Sequence, residues 1–150
     1  MATAIREYDL IVIGGGCAGL SLARSLIQKG SQLRVLIVEN RSIYFDDRTW
    51  CFWSRESHPL QNLEEKSWDA WKFSVLGAAP HLHRPKNDLA YRCIRSGTFY
   101  EHAQREIERC PNVSLRLSVN VDACWRDGET VTVATDEGEF YSRWVVDTRP

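Results

Sequence analysis

Gly14, Gly16 and Gly19 stand at the spacing G-x-G-x-x-G in IVIGGGCAGLSLA, with Gly15 between the first two, and Glu39 closes the run RVLIVE twenty positions after Gly19. Glycines so spaced suit a diphosphate. The first permits a tight turn, the second lets backbone amides approach the phosphates, and the third lets a helix pack closely on the preceding strand. A carboxylate about 20 residues further on accepts hydrogen bonds from a ribose hydroxyl. The alternative for Glu39 taken singly is a solvated acid at a strand end. A second concentration of chemistry is FDDRTWCFW, residues 45–53, where two adjacent acids and an arginine precede three aromatic rings.

These residues need elements to hold them. The unbroken aliphatic run Leu10 to Ile13 suits a parallel strand buried on both faces. A helix is expected from Cys17 to Gln28, with Leu20, Ala23 and Ile27 on one face and Gly30 as its stop. Residues 34–39 then form a second strand ending in the acid. Strand, glycines, helix, strand and terminal Glu39 in that order point to dinucleotide binding rather than to a merely structural turn.

After residue 40 the alternation of strand and helix stops, so a simple doubly wound NAD domain is not expected. Trp68 to Leu76 and Ala90 to Ile94 read as strands. Ser96 is the expected N-cap of a helix through Thr98 to Arg109, ended by Pro111 and Asn112. Three short strands follow, near Val113 to Val119, Val121 to Arg126 and Thr130 to Thr135, the last two joined at Asp127-Gly128. A turn at Glu137-Gly138 leads to FYSRWVV. This order predicts an α/β fold: a Rossmann-like FAD-binding domain of the glutathione-reductase and aromatic-hydroxylase type, with a small β-meander.

Composition bounds the rest. The 150 residues, 43% hydrophobic, are enough for one ordinary core. With 19 basic and 20 acidic residues and no basic block, nucleic acid is not an expected partner. Five widely spaced cysteines, Cys17, Cys51, Cys93, Cys110 and Cys124, form no CxxC pair and read as reduced thiols of a cytoplasmic protein. MATAIREYD is charged and short, unlike a secretory signal. The longest apolar window, Leu10 to Ala23, falls short of the roughly 20 residues that a membrane-spanning helix needs. Peripheral membrane contact stays open.

IVIGGGCAGLSLA, LIVE, DDRTWCFW, YRCIRSGTFYEHA and VVDTRP together resemble the N-terminal half of the flavin-dependent bacterial lycopene cyclases. Asp47 to Trp53, DRTWCFW, is the specific motif, and Ile94 to Tyr100 adds support. The resemblance implies an enzyme that folds the ends of lycopene into β-ionone rings without net redox change. It also implies FAD held in its reduced form, with NADPH as the reductant. Such cyclisation begins with protonation of a terminal alkene and passes through a tertiary cation. It requires a proton donor of raised pKa, a water-free cavity and electron-rich faces.

Against that chemistry, Trp50, Phe52 and Trp53 are candidates to line the polyene pocket, while the alternation of Trp50 and Phe52 equally suits core filling. Arg48 would contact the flavin or its phosphates, or pair with Asp46 or Asp47. Arg95, just before the second helix, and Asp147, at the end of the returning strand, are further candidates for cofactor contact beside Gly14, Gly15, Gly16, Gly19 and Glu39. His81 and His83 share a strand face, but no third metal ligand has suitable spacing, so no metal site is expected. The resemblance places the acidic catalytic motif and most of the substrate domain beyond Pro150, so the chain is expected to be an N-terminal part of the FAD-binding domain with no assignable catalytic acid. The competing expectations are a flavin monooxygenase or prenyl reductase, and an inactive FAD-binding remnant.

Overall fold

The computed structural model describes residues 7–55, 57–87 and 89–150. They form two compact units: one comprises residues up to Tyr44 together with Tyr100–Pro150, and the other is Phe45–Phe99.

The first unit is built on strand β1 (Tyr8–Ile13), helix α1 (Cys17–Gln28) and strand β2 (Val35–Val38). All four residues of β2 and the last four of β1 are buried. Burial on both faces explains why these strands read as continuous aliphatic runs rather than alternating ones. Gly30, at φ 67°, ends α1 as expected, because a left-handed residue lets the chain leave the last turn without strain. β1 pairs in parallel with β2, and β2 in parallel with β8 (Val113–Arg116).

Beyond β8 lie β9 (Val121–Asp127), β10 (Thr130–Thr135) and β11 (Gly138–Asp147), completing a six-stranded sheet of order β8-β2-β1-β11-β10-β9. The strand expected at FYSRWVV is longer than the sequence suggests and has two partners. Residues 138–142 pair antiparallel with β10, and Ser142 to Asp147 run parallel to β1. One ten-residue strand therefore both closes the meander and returns the chain to the glycine loop. On one face Ile11, Ile13, Leu36, Val38, Val119, Val133 and Phe140 form a continuous buried cluster.

The second unit holds β3 (Thr49–Ser54), β4 (Lys66–Trp68) and β7 (Ala90–Arg95), with β7 between the other two. A separate ribbon pairs β5 (Trp71–Phe73) with β6 (His81–His83). The single strand expected over Trp68 to Leu76 is therefore two strands in different sheets. Trp68 pairs with Tyr91 whereas Trp71 pairs with His83, a choice made by distant partners. Helix α2 (Ser96–Glu108) starts at Ser96 itself rather than after it, and the division between the units falls within this helix.

The Rossmann core makes a stability prediction. Ile11 is fully buried in the aliphatic cluster, so Ile11→Ala should lower the unfolding free energy by about 2–5 kcal/mol in urea titration.

Candidate functional site

Gly14 sits at φ 99°, in the left-handed region that glycine tolerates, and its amide donates to the Val38 carbonyl at 2.8 Å. A Cβ on Gly19 would lie 2.0 Å from the Gly14 carbonyl oxygen, so the first turn of α1 rests directly on the loop backbone. Around Gly16 the situation is opposite: nothing lies within 4 Å of a Cβ built there. Gly16 is the N-cap of α1 and makes no side-chain capping bond. The start of α1 is therefore unobstructed at Gly16, and the unpaired first amides that any helix has, with the positive end of its dipole, are a fit for an anionic diphosphate.

Glu39, 5% exposed, closes the other side of the loop. Its Oε2 accepts from the Gly15 amide at 2.7 Å. Its Oε1 accepts from the Arg41 amide at 3.0 Å and from Arg41 Nε at 2.9 Å, and a terminal Arg41 nitrogen reaches Oε2 at 3.2 Å. Burial pushes the Glu39 carboxyl up, but the hydrogen bonds from Arg41 and Gly15 and the guanidinium charge outweigh it and hold the group below the ordinary carboxylate range.

Sequence reasoning missed the groups that complete this arrangement. Arg41 lies 4.7 Å from the Tyr44 ring centre and 5.1 Å from that of Tyr100, and it donates to the Tyr100 hydroxyl at 3.1 Å. The two tyrosine rings stack at 4.3 Å. Tyr44 donates to the Gly15 carbonyl at 2.8 Å, and burial raises its phenol pKa. Thr148 supplies the last tether. Its amide donates to the Ile13 carbonyl at 2.8 Å, and its hydroxyl lies 3.0 Å from both the Ile13 and Gly14 carbonyl oxygens. Asp147, one residue earlier, pairs in register with Ile13, while its carboxylate binds Arg149 at 2.8 Å. The signal for Arg41 was its position two residues after the acid; for Thr148 no local signal exists.

The structure thus brings Gly14, Gly15, Gly16, Gly19 and Glu39 into one crevice of the first unit. The candidates within Phe45–Phe99 are arranged differently. Asp46 accepts from the Gly97 amide at 3.0 Å and from Arg95 Nε at 2.8 Å, so it caps helix α2 and pairs Arg95 at once. The hydrogen bond from Arg95, then that from Gly97, lowers its pKa. Ser96, the expected cap, instead accepts at Oγ from the Arg48 amide at 3.0 Å. The Arg48 side chain is 70% exposed and lies 3.7 Å from Asp47.

Period-two geometry separates the aromatic candidates. Trp50 meets Phe99 edge to face at 5.2 Å, and Phe52 meets His58 likewise at 5.4 Å. On that side His58 contacts Glu64 at 2.5 Å, and Arg92 donates to both Glu64 oxygens at 2.7 and 2.8 Å. Trp53 points to the opposite face. There Trp53, Trp68 and Trp71 surround Tyr91 at 5.1–6.0 Å between ring centres, and Trp53 stays 47% exposed. The histidines of β6 are exposed, and among the described residues no three His, Cys, Asp or Glu side chains gather as a metal site. Among the described residues no helix is long and apolar enough to cross a membrane.

The mixed sheet, glycine loop and meander define a Rossmann-like domain of the type found in FAD-dependent monooxygenases and halogenases. The chain belongs to the lycopene cyclase family, whose model, described as lycopene cyclase protein, matches residues 9–150. The p-nitrophenol 4-monooxygenase PnpA from Pseudomonas putida DLL-E4 superposes with a TM-score of 0.72 at 17% identity, over 93% of this chain and 40% of that one. The halogenase PltM, in a structure with phloroglucinol and FAD, gives 0.67 at 15% identity, over 96% of this chain and 34% of that one. The tRNA uridine 5-carboxymethylaminomethyl modification enzyme MnmG of Lactobacillus delbrueckii subsp. bulgaricus is 25% identical over 90% of this chain, which spans 22% of its length.

Two outcomes follow from the crevice. Gly19→Ala should destabilise the chain by about 1–3 kcal/mol through overpacking, and Gly16→Ala should leave its thermal midpoint nearly unchanged. Because Glu39 is ionised more readily folded than unfolded, its stabilisation is full above the ordinary carboxylate pKa of about 4.3 and fades as pH falls through the lower folded value. Urea titrations from pH 7 downward should show Glu39→Gln with a shallower acid loss than the parent chain.

Proposed function

We propose that this chain is the FAD-binding part of a lycopene β-cyclase. The complete protein would convert the linear ends of lycopene into β-ionone rings without net redox change, with FAD held reduced and NADPH as the reductant. The family match across residues 9–150 carries this reading, because it includes both the glycine loop and DRTWCFW. Support for FAD comes from the crevice. The first amides of α1, beyond Gly16, suit the diphosphate, and Glu39, at the end of β2, would accept from a ribose hydroxyl.

All four acceptor directions of the Glu39 carboxylate are taken, by Gly15 once and by Arg41 three times. A ribose hydroxyl would therefore exchange with one Arg41 N–H, leaving Gly15 in place to orient the carboxylate. Bound FAD would supply a reduced, electron-rich ring system to the site. The polyene has no hydrogen-bonding groups, and the Trp53, Trp68, Trp71 and Tyr91 face offers it π surface that also favours a developing tertiary cation. Asp147, in register with Ile13 beside the glycine loop, is proposed as a further contact to the cofactor. The proton donor is assigned to none of these residues.

Equilibrium dialysis of the purified chain with FAD tests the crevice. Gly16→Ala should weaken retention by tenfold or more while leaving the fold intact, since a methyl group there stands where the phosphates approach. For the complete protein, anaerobic incubation of NADPH-reduced enzyme with lycopene in vesicles should yield cyclic carotene with no stoichiometric NADPH loss. Oxygen-dependent NADPH consumption, or saturation of a prenyl chain, would instead assign it to the monooxygenases or reductases.

A further inference from the structure

Cys51 on β3 and Cys93 on β7 are direct cross-strand partners. The Ser96 amide donates to the Arg48 carbonyl at 2.9 Å, which makes Arg48 and Ser96 a hydrogen-bonded pair. Antiparallel alternation then puts the next such pairs at Trp50–Ile94 and Phe52–Arg92, and leaves Cys51–Cys93 as a non-hydrogen-bonded pair. Cα atoms in such pairs lie about 4.5 Å apart, within the roughly 4.4–6.8 Å that a disulfide bridges. Both thiols project from the same sheet face as Trp53 and Tyr91. They differ in access: Cys51 is exposed and Cys93 is 8% exposed. All five cysteines are free thiols; Cys17 and Cys124 are exposed and Cys110 half-buried, and none of these three lies in a strand of this sheet.

We infer that Cys51 and Cys93 are a paired redox-modification site that a low-molecular-weight disulfide converts to an intramolecular disulfide. The Cys51 thiolate attacks one sulfur of the small disulfide, forming a mixed disulfide and releasing one small thiolate. The Cys93 thiolate then attacks the Cys51 sulfur and expels the second. The protein dithiol loses two electrons, the small disulfide gains them, and the two thiol protons pass to the released thiolates. Exposure sets the order, because Cys51 is the member of this pair open to the reagent, while its opposite neighbour is already in place to resolve the adduct. The bond ties together the strands that carry Trp50, Phe52 and Trp53 on one side and Tyr91, Arg92 and Arg95 on the other.

Oxidised glutathione tests this on the full 150-residue chain. The expected product carries no glutathione on residue 51 or 93, has lost two hydrogens at that pair, reverts with dithiothreitol, and yields a peptide linking residues 51 and 93. Cys93→Ala should stop at a glutathione adduct on Cys51, and Cys51→Ala should leave Cys93 unmodified under the same exposure. Circular dichroism of both variants verifies that they are folded; should either be unfolded, Cys→Ser at the same position replaces it. A stable glutathione adduct on Cys51 of the parent chain, a bridge from Cys51 or Cys93 to Cys17, Cys110 or Cys124, or no change at residues 51 and 93 would each overturn the assignment. None of these readouts depends on FAD or on a carotenoid.

Discussion

The contact between the Gly14 carbonyl and the Cα of Gly19 is the constraint on which the candidate site depends. The loop carbonyl comes so near that a methyl group at 19 would lie 2.0 Å from it. This proximity fixes the start of α1 against the end of β1, and the N-cap Gly16 stays unobstructed. Three other elements hold the same backbone. Val38 accepts from the Gly14 amide, Glu39 accepts from the Gly15 amide, and Thr148 reaches the Ile13 and Gly14 carbonyls. Val38 and Glu39 thus satisfy the Gly14 and Gly15 amides, and Thr148 the Ile13 and Gly14 carbonyls, as buried backbone groups require. The donors open to a ligand are those at the start of α1.

Glu39 shows how burial and partnership combine. Removing a carboxylate from water is costly, yet the group is held ionised because backbone and guanidinium donors replace its hydration. Arg41 in turn lies over two stacked tyrosines, so its planar cation has a π surface as well as an ion pair. The carboxylate proposed as a sugar acceptor is thus oriented in advance by neighbours within the same unit.

FDDRTWCFW combines several separate roles. Asp46 takes up the Gly97 amide at the start of α2, where the helix dipole favours a negative charge, and pairs Arg95. Thr49 to Ser54 is a strand, so its side chains alternate. Trp50 and Phe52 therefore go to one face, beside the His58, Glu64 and Arg92 network, and Cys51 and Trp53 go to the other. Acids, arginine and rings crowd together in the sequence because one short segment caps a helix, completes a sheet and supplies both of its faces.

The sequence alone determined β1, α1, β2 and the crevice residues Gly14, Gly15, Gly16, Gly19 and Glu39, because these depend on local hydrophobic period and on spacing within about thirty residues. It also showed the meander turn at Asp127-Gly128, where Gly128 takes a positive φ. Tertiary structure decided what depends on distant partners. Thr148 reaches Gly14 across 134 positions and Asp46 reaches Gly97 across 51, and neither bond has a periodic signature. It split Trp68 to Leu76 between two sheets and gave β11 two partners. Propensity sets whether a residue is extended, whereas cross-strand pairing sets which strand it joins, and that choice is made only when the chain has folded.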